Sequence, residues 1–150
     1  MSSYTVPYSA LATEVSLVKT ELMRAVENVL DSGRYVLGPE VAAFEREFAE
    51  YCQTKFAAGV ANGTCALHLV LRGIGLKEGD EVITAPNSFI ASASSIALAG
   101  AKPVFVDVGD DGNMDPQRLE DVITPRTRAV VPVHLTGRPA KMDDILEITR

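Results

Sequence analysis

Residues 81–108 read EVITAPNSFIASASSIALAGAKPVFVDV, and this stretch decides the fold. A short apolar run, Glu81–Ala85, gives way at Pro86-Asn87 to a helical segment, Phe89–Ala99, which Gly100 closes before a second run, Pro103–Val108. Apolar runs this short, punctuated by Pro and Gly, read as buried strands. Strand, helix and strand in close succession predict parallel strands joined by a crossover, the unit of an α/β domain.

The same alternation extends to both sides. Upstream lie the apolar run Phe56–Ala61 and the helical segment Thr64–Arg72, closed by Gly73 and Gly75. Downstream, Asp115-Pro116 supplies an N-cap and a first-turn proline for a helix to Ile123, Arg128–Val133 forms a further strand, and another helix starts near Met142. Before Phe56 the pattern is helical. Val15, Val18, Leu22, Val26 and Val29 recur at steps of three and four, predicting an amphipathic helix from Val15 to Leu30 with Thr13 as N-cap and Asp31-Ser32-Gly33 as its stop. Gly38-Pro39 opens the next helix, with Val41, Phe44, Phe48 and Tyr51 as its buried stripe.

Composition narrows the function. The 150 residues hold 14 Lys+Arg against 20 Asp+Glu, a net charge of −6 that argues against a nucleic-acid-binding face. At 47% hydrophobic and 23% charged the chain belongs to the globular range. The stretch Ala85–Ala101 is interrupted by Asn87, four serines and Gly100, so no membrane span is expected. The residues after Met1 are polar, without the apolar core of an export signal, which makes a cytoplasmic location the expectation. Cys52 and Cys65 lack metal or redox spacing and are expected as free thiols.

Three positions invite chemistry. Asn62-Gly63-Thr64-Cys65 joins a predicted strand to a helix, where free N–H groups and the helix dipole favour a phosphate. A plain turn capped by Thr64 fits the same residues. Phe89, in Pro86-Asn87-Ser88-Phe89, sits at a strand's C-terminal end, facing the crevice used by α/β ligands or packing beneath its own helix. His134, in Val133-His134-Leu135-Thr136-Gly137, occupies the corresponding place after the last strand, as a ligand contact or a turn-holding residue. His68, inside a helix, is expected to be a hydrogen-bonded structural residue. Asp107, Asp110, Asp111 and Asp115 lack calcium-loop spacing, so a solvated turn and no metal are expected.

In order, the blocks 31–39 (DSGRYVLGP), 60–69 (VANGTCALHL), 79–84 (GDEVIT), 86–89 (PNSF), 103–108 (PVFVDV) and 133–137 (VHLTG) with Met142-Asp143 resemble the N-terminal part of the DegT/DnrJ/EryC1/StrS family of sugar aminotransferases. The resemblance covers almost the whole chain. It implies the α/β fold type I of the pyridoxal-phosphate (PLP) transferases, resembling aspartate aminotransferase, with a mostly parallel large-domain sheet. Residues 1–150 would form an N-terminal arm and the first part of the large PLP-binding domain. It further implies that Gly63, Thr64 and Cys65 hold the PLP phosphate and Phe89 stacks on its pyridine ring. Gly33–Gly38 would line the substrate entrance, with Tyr35 and His134 as substrate contacts.

The resemblance places the Schiff-base lysine, and the aspartate that protonates the pyridine nitrogen, beyond Arg150. Neither Lys102 nor Lys141 stands in a matching motif, so the catalytic residues are unassigned and the chain is expected to be truncated. It also separates the first strand of the sheet from the next three by strands from later sequence, which would leave Phe56–Ala61 without a neighbour. The implied reaction moves an amino group, from an amino acid such as L-glutamate, through PLP to a keto group of a nucleotide-linked deoxysugar, in a homodimer. A PLP- or pyridoxamine-phosphate-dependent sugar dehydratase of the same family, and a non-catalytic fragment, are the alternatives.

Overall fold

The computed structural model describes residues 8–150, which fall into two compact units, one ending at Gly59 and one starting at Val60. The reading of the chain's start as free of an export signal concerns residues 1–7 and lies outside the described residues.

The first unit holds helix α1, Leu11–Ser32, and helix α2, Pro39–Tyr51. Helix α1 starts earlier than its apolar spacing predicts. Ala10, not Thr13, is its N-cap, because the Ala10 carbonyl already accepts the Thr13 and Glu14 N–H groups. Its end is as expected, with Gly33 left-handed (φ 63°) and returning its N–H to the Leu30 carbonyl. Gly38 is required for space, since a Cβ there would lie 2.5 Å from the Arg34 carbonyl oxygen. Pro39 takes the first turn of α2. The stripe expected to be buried is exposed. Phe44, Phe48 and Tyr51 are 55%, 48% and 84% accessible; Phe44 stacks on Phe48, and Tyr51 sits tilted beside it, along the helix instead of in a core. Periodicity shows that a helix has an apolar face and does not say what covers it.

The second unit contains helix α3, Gly63–Gly73; strand β1, Glu81–Thr84; helix α4, Ala91–Leu98; strand β2, Lys102–Phe105; helix α5, Pro116–Val122; strand β3, Thr127–Val131; and helix α6, Met142–Ile148. The three strands form a parallel sheet in the order β2-β1-β3, with Val82 opposite Pro103 and Ala129. The central strand is buried on both faces. Val82 points into a cluster with Leu71 of α3, Ile96 of α4 and its C-cap Ala99, while Ile83 points into another with Met114, Leu119 of α5 and Ile145 of α6. Helices therefore cover both faces, α3 and α4 one, α5 and α6 the other. The small residues of α4 allow close approach to α3, with Ala91, Ser92 and Ser95 all buried.

Phe56–Ala61, expected to be a strand, forms no ladder; an apolar run becomes a strand only when another backbone accepts its N–H groups, and no strand of this sheet pairs with it. The other elements stand where expected to within a few residues. Asp115 caps α5 through the Gln117 N–H (3.0 Å), ahead of Pro116.

Candidate functional site

The topology creates one crevice. The chain leaves β1 through α4 on one face and reaches β3 through α5 on the other, so the loops after β1 and β3 diverge at the C-terminal edge of the sheet. Such a switch point is where open α/β sheets bind ligands. Phe89 is in the loop after β1 and His134 in the loop after β3. Between them the two strands are tied by the Thr84 hydroxyl, which donates to the Val131 carbonyl at 2.9 Å. Phe89 is 76% exposed, so it does not pack beneath α4, whose first residue is Ala91.

The N-terminus of α3 reaches the same edge. Helix α3 packs beside α4 and runs through Ile74–Asp80 into the start of β1, so its first turn lies at the opposite end, where the strands finish. The cap is Asn62, not Thr64: the Asn62 Oδ1 accepts the Cys65 N–H at 2.9 Å. Among the described residues the N–H groups of Gly63 and Thr64, and the Thr64 hydroxyl, have no protein acceptor. Nor do the surroundings demand glycine at 63: its φ is not left-handed, and a Cβ there would meet nothing within 4 Å. An unfilled space over two free N–H donors at a helix start suits a phosphate. Cys65 is half-buried, and Cys65 and Cys52 are free thiols.

Two asparagines that sequence reasoning did not single out as site residues bind the crevice loops together. The Asn87 amide donates to the Gly112 carbonyl at 2.8 Å. Asn113, 1% exposed, accepts the Leu135 N–H on Oδ1 (2.9 Å) and donates through Nδ2 to the carbonyls of Arg138 (3.2 Å) and Pro139 (3.4 Å). Inside the loop so held, the Ala140 N–H donates to His134 Nδ1 at 3.0 Å, and Thr136 is left-handed (φ 54°). These contacts span 22–26 residues of chain and leave no local pattern.

The other edge of the sheet is built from charge. Glu81, 2% exposed, accepts Arg126 Nη2 at 2.9 Å and the Thr124 hydroxyl at 2.6 Å, with Lys102 Nζ 3.5 Å away. The Thr124 hydrogen bond, then the Arg126 pairing, hold its carboxyl below the usual range against the opposing effect of burial. Asp80 pairs with Arg128 at 3.2 Å beside it. Lys102 is thus committed to the edge remote from the crevice.

The remaining expectations scatter. Tyr35 lies in the first unit, 64% exposed, with its hydroxyl donated to the Leu30 carbonyl at 3.0 Å. Lys141 is exposed ahead of α6. His68, half-buried in α3, has no side-chain hydrogen-bond partner among the described residues, contrary to expectation.

The model of the DegT/DnrJ/EryC1/StrS aminotransferase family matches residues 17–150. The chain belongs to that family. Like other proteins of the DegT/DnrJ/EryC1/StrS family, it is similar to the dTDP-3-amino-3,4,6-trideoxy-alpha-D-glucose transaminase of Streptomyces venezuelae, with 48% identity over 95% of this chain and 38% of that protein. The crystal structure of S. venezuelae DesV in complex with a ketimine intermediate superposes with a TM-score of 0.91 at 48% identity, over 96% of this chain and 39% of that one. The crystal structure of a DegT/DnrJ/EryC1/StrS aminotransferase from Brucella abortus gives 0.85 at 37% identity, over 97% and 41%. The chain therefore spans about two fifths of the length of the curated relatives it matches. The α/β fold with a parallel sheet implied by the family resemblance is borne out. No helix among the described residues is long and apolar enough to cross a membrane.

Proposed function

We propose that this chain is the cofactor-gripping part of a PLP-dependent aminotransferase that moves an amino group from an amino acid, L-glutamate in our reading, to a keto group of a nucleotide-linked deoxysugar. The observation that carries the reading is the start of α3, where the N–H groups of Gly63 and Thr64 and the Thr64 hydroxyl have no protein acceptor among the described residues. In this reading residues 1–150 form an N-terminal arm and the first part of the large cofactor-binding domain, and the protein works as a homodimer in the cytoplasm.

Bound PLP supplies an electron sink that the twenty side chains lack. The protein's own groups hold and orient. Gly63 and Thr64 donate to the phosphate, aided by the positive end of the helix dipole. Cys65, expected to add a third N–H to the phosphate, has that N–H taken up by Asn62 Oδ1, so the grip in this reading rests on Gly63 and Thr64. Phe89, exposed in the loop after β1, gives a flat apolar face for the pyridine ring. His134 offers a hydrogen bond to the substrate from the loop after β3. Tyr35 enters as a nucleotide-sugar contact on the resemblance alone. Lys102 is given no chemical role, being held by Glu81.

The test is the absorbance of the complete protein incubated with PLP. A cofactor band that survives desalting and bleaches on addition of L-glutamate, with 2-oxoglutarate released, is the expected result. A protein that retains no PLP, or retains it without responding to any amino acid, overturns the reading.

A further inference from the structure

We propose that Asn113 is the positioning residue of His134, fixing its imidazole as a single-tautomer donor whose Nε2–H faces an acceptor oxygen of the substrate. Three bonds from one buried carboxamide take up the Leu135 N–H and the Arg138 and Pro139 carbonyls, closing the segment that begins at His134 and ends at Ala140. The closure brings the Ala140 N–H to His134 Nδ1. A backbone N–H can only donate, so Nδ1 is the lone-pair nitrogen and the proton of the neutral ring resides on Nε2. Left-handed Thr136 inside this segment shows that the closed loop is held against its own backbone preference. Asn87 extends the network, anchoring Gly112, next to Asn113, to the loop that carries Phe89. The two ligand-facing side chains of the crevice are thereby referenced to one amide network instead of moving on separate loops.

That the Nε2–H meets the substrate rests on the function proposed above; the tautomer does not. The decisive measurement is the long-range proton–nitrogen spectrum of the histidine rings in the complete protein, with His134 assigned by loss of its signals in His134→Gln. The expected wild-type pattern is one tautomer, with Nδ1 unprotonated. Asn113→Asp keeps the shape and the Leu135 contact but loses both donated bonds, and Asn113→Ala loses all three; each is expected to give a tautomer mixture. Asn87→Ala, at an exposed position, is expected to shift the same signals less. Unchanged ring signals in a folded Asn113 variant overturn the proposal, and should neither Asn113 variant fold, unchanged signals in Asn87→Ala do so. In turnover, Asn113→Asp is expected to raise KM for the keto sugar about two- to tenfold with kcat nearly constant, the worth of one neutral hydrogen bond. A wild-type protein that aminates no keto sugar would reverse the functional reading and leave the tautomer result standing.

Discussion

The two edges of the parallel sheet are opposites in chemistry. At the edge where the strands begin, charged groups satisfy one another, with Glu81 enclosed by Arg126, Lys102 and Thr124. At the edge where they end, the long-range ties between loops are made by the amides of Asn87 and Asn113, carboxylates such as Asp111 bond only N–H groups close by in the chain, and the donors of Gly63 and Thr64 are left over. The difference teaches how a fold reserves binding capacity. An edge that needs only to hold spends its polar groups internally. An edge with binding capacity keeps donors that no protein group takes up, and at a helix start those donors lie at the positive end of the dipole.

Mutations at each edge break or sharpen this contrast. The largest effect on cofactor retention is expected from Thr64→Ala, which removes the side-chain donor of the proposed phosphate grip. A charge-assisted bond of this kind is worth about 1.5–3 kcal/mol, and equilibrium dialysis of PLP reads the loss directly. Phe89→Ala should weaken PLP by about 0.5–1.5 kcal/mol and shift the cofactor's absorbance. An unaltered spectrum and affinity would remove the ring from the site. Asn62→Ala tests the cap and the grip together. Loss of the cap should lower stability by about 1 kcal/mol in denaturant unfolding, while freeing the Cys65 N–H keeps the change in PLP affinity smaller than that of Thr64→Ala.

Glu81→Gln belongs to the opposite edge, and no change in PLP retention is expected. What should change is the response to acid. A carboxyl whose folded pKa is lowered contributes stability above its unfolded value, near 4.5, and loses it as pH falls through the folded value. The wild-type melting temperature should therefore exceed that of Glu81→Gln at neutral pH and converge with it in acid. A constant gap across that range would mean that the Glu81 cluster acts through packing instead of charge.

The amino-acid sequence carries much of this fold on its surface. Strand β1 is legible because the five-residue run Glu81–Ala85 between Asp80 and Pro86 has room for nothing else, and the starts of α2 and α5 are legible because Gly38-Pro39 and Asp115-Pro116 are complete local signals. What failed was whatever depends on a partner. Phe56–Ala61 has strand composition and no ladder, and the Phe44, Phe48 and Tyr51 stripe has core spacing and no cover. For the site, Gly63, Thr64 and Phe89 announce themselves by standing between a run and a helix. Asn113 does not, because a buried amide that serves backbone groups more than twenty residues away leaves no periodic trace, and Asn62 was overlooked because Thr64 is an equally good cap by residue type.

Pro103 gives the sheet a direction of growth. Lys102 and Val106 turn their N–H groups inward to the carbonyls of Asp80 and Thr84, so the alternate residues Pro103 and Phe105 face the open side of β2, and proline has no hydrogen to offer there. That rim is a poor template for another strand. The outer rim of β3, Thr127–Val131, contains no proline, and only its first residue turns its N–H back, to the Thr124 carbonyl. A strand joining this sheet, whether from the same polypeptide or from an unfolded neighbour, will seat itself against β3, and a proline introduced at an outward-facing position of β3 is where unwanted self-association would be blocked.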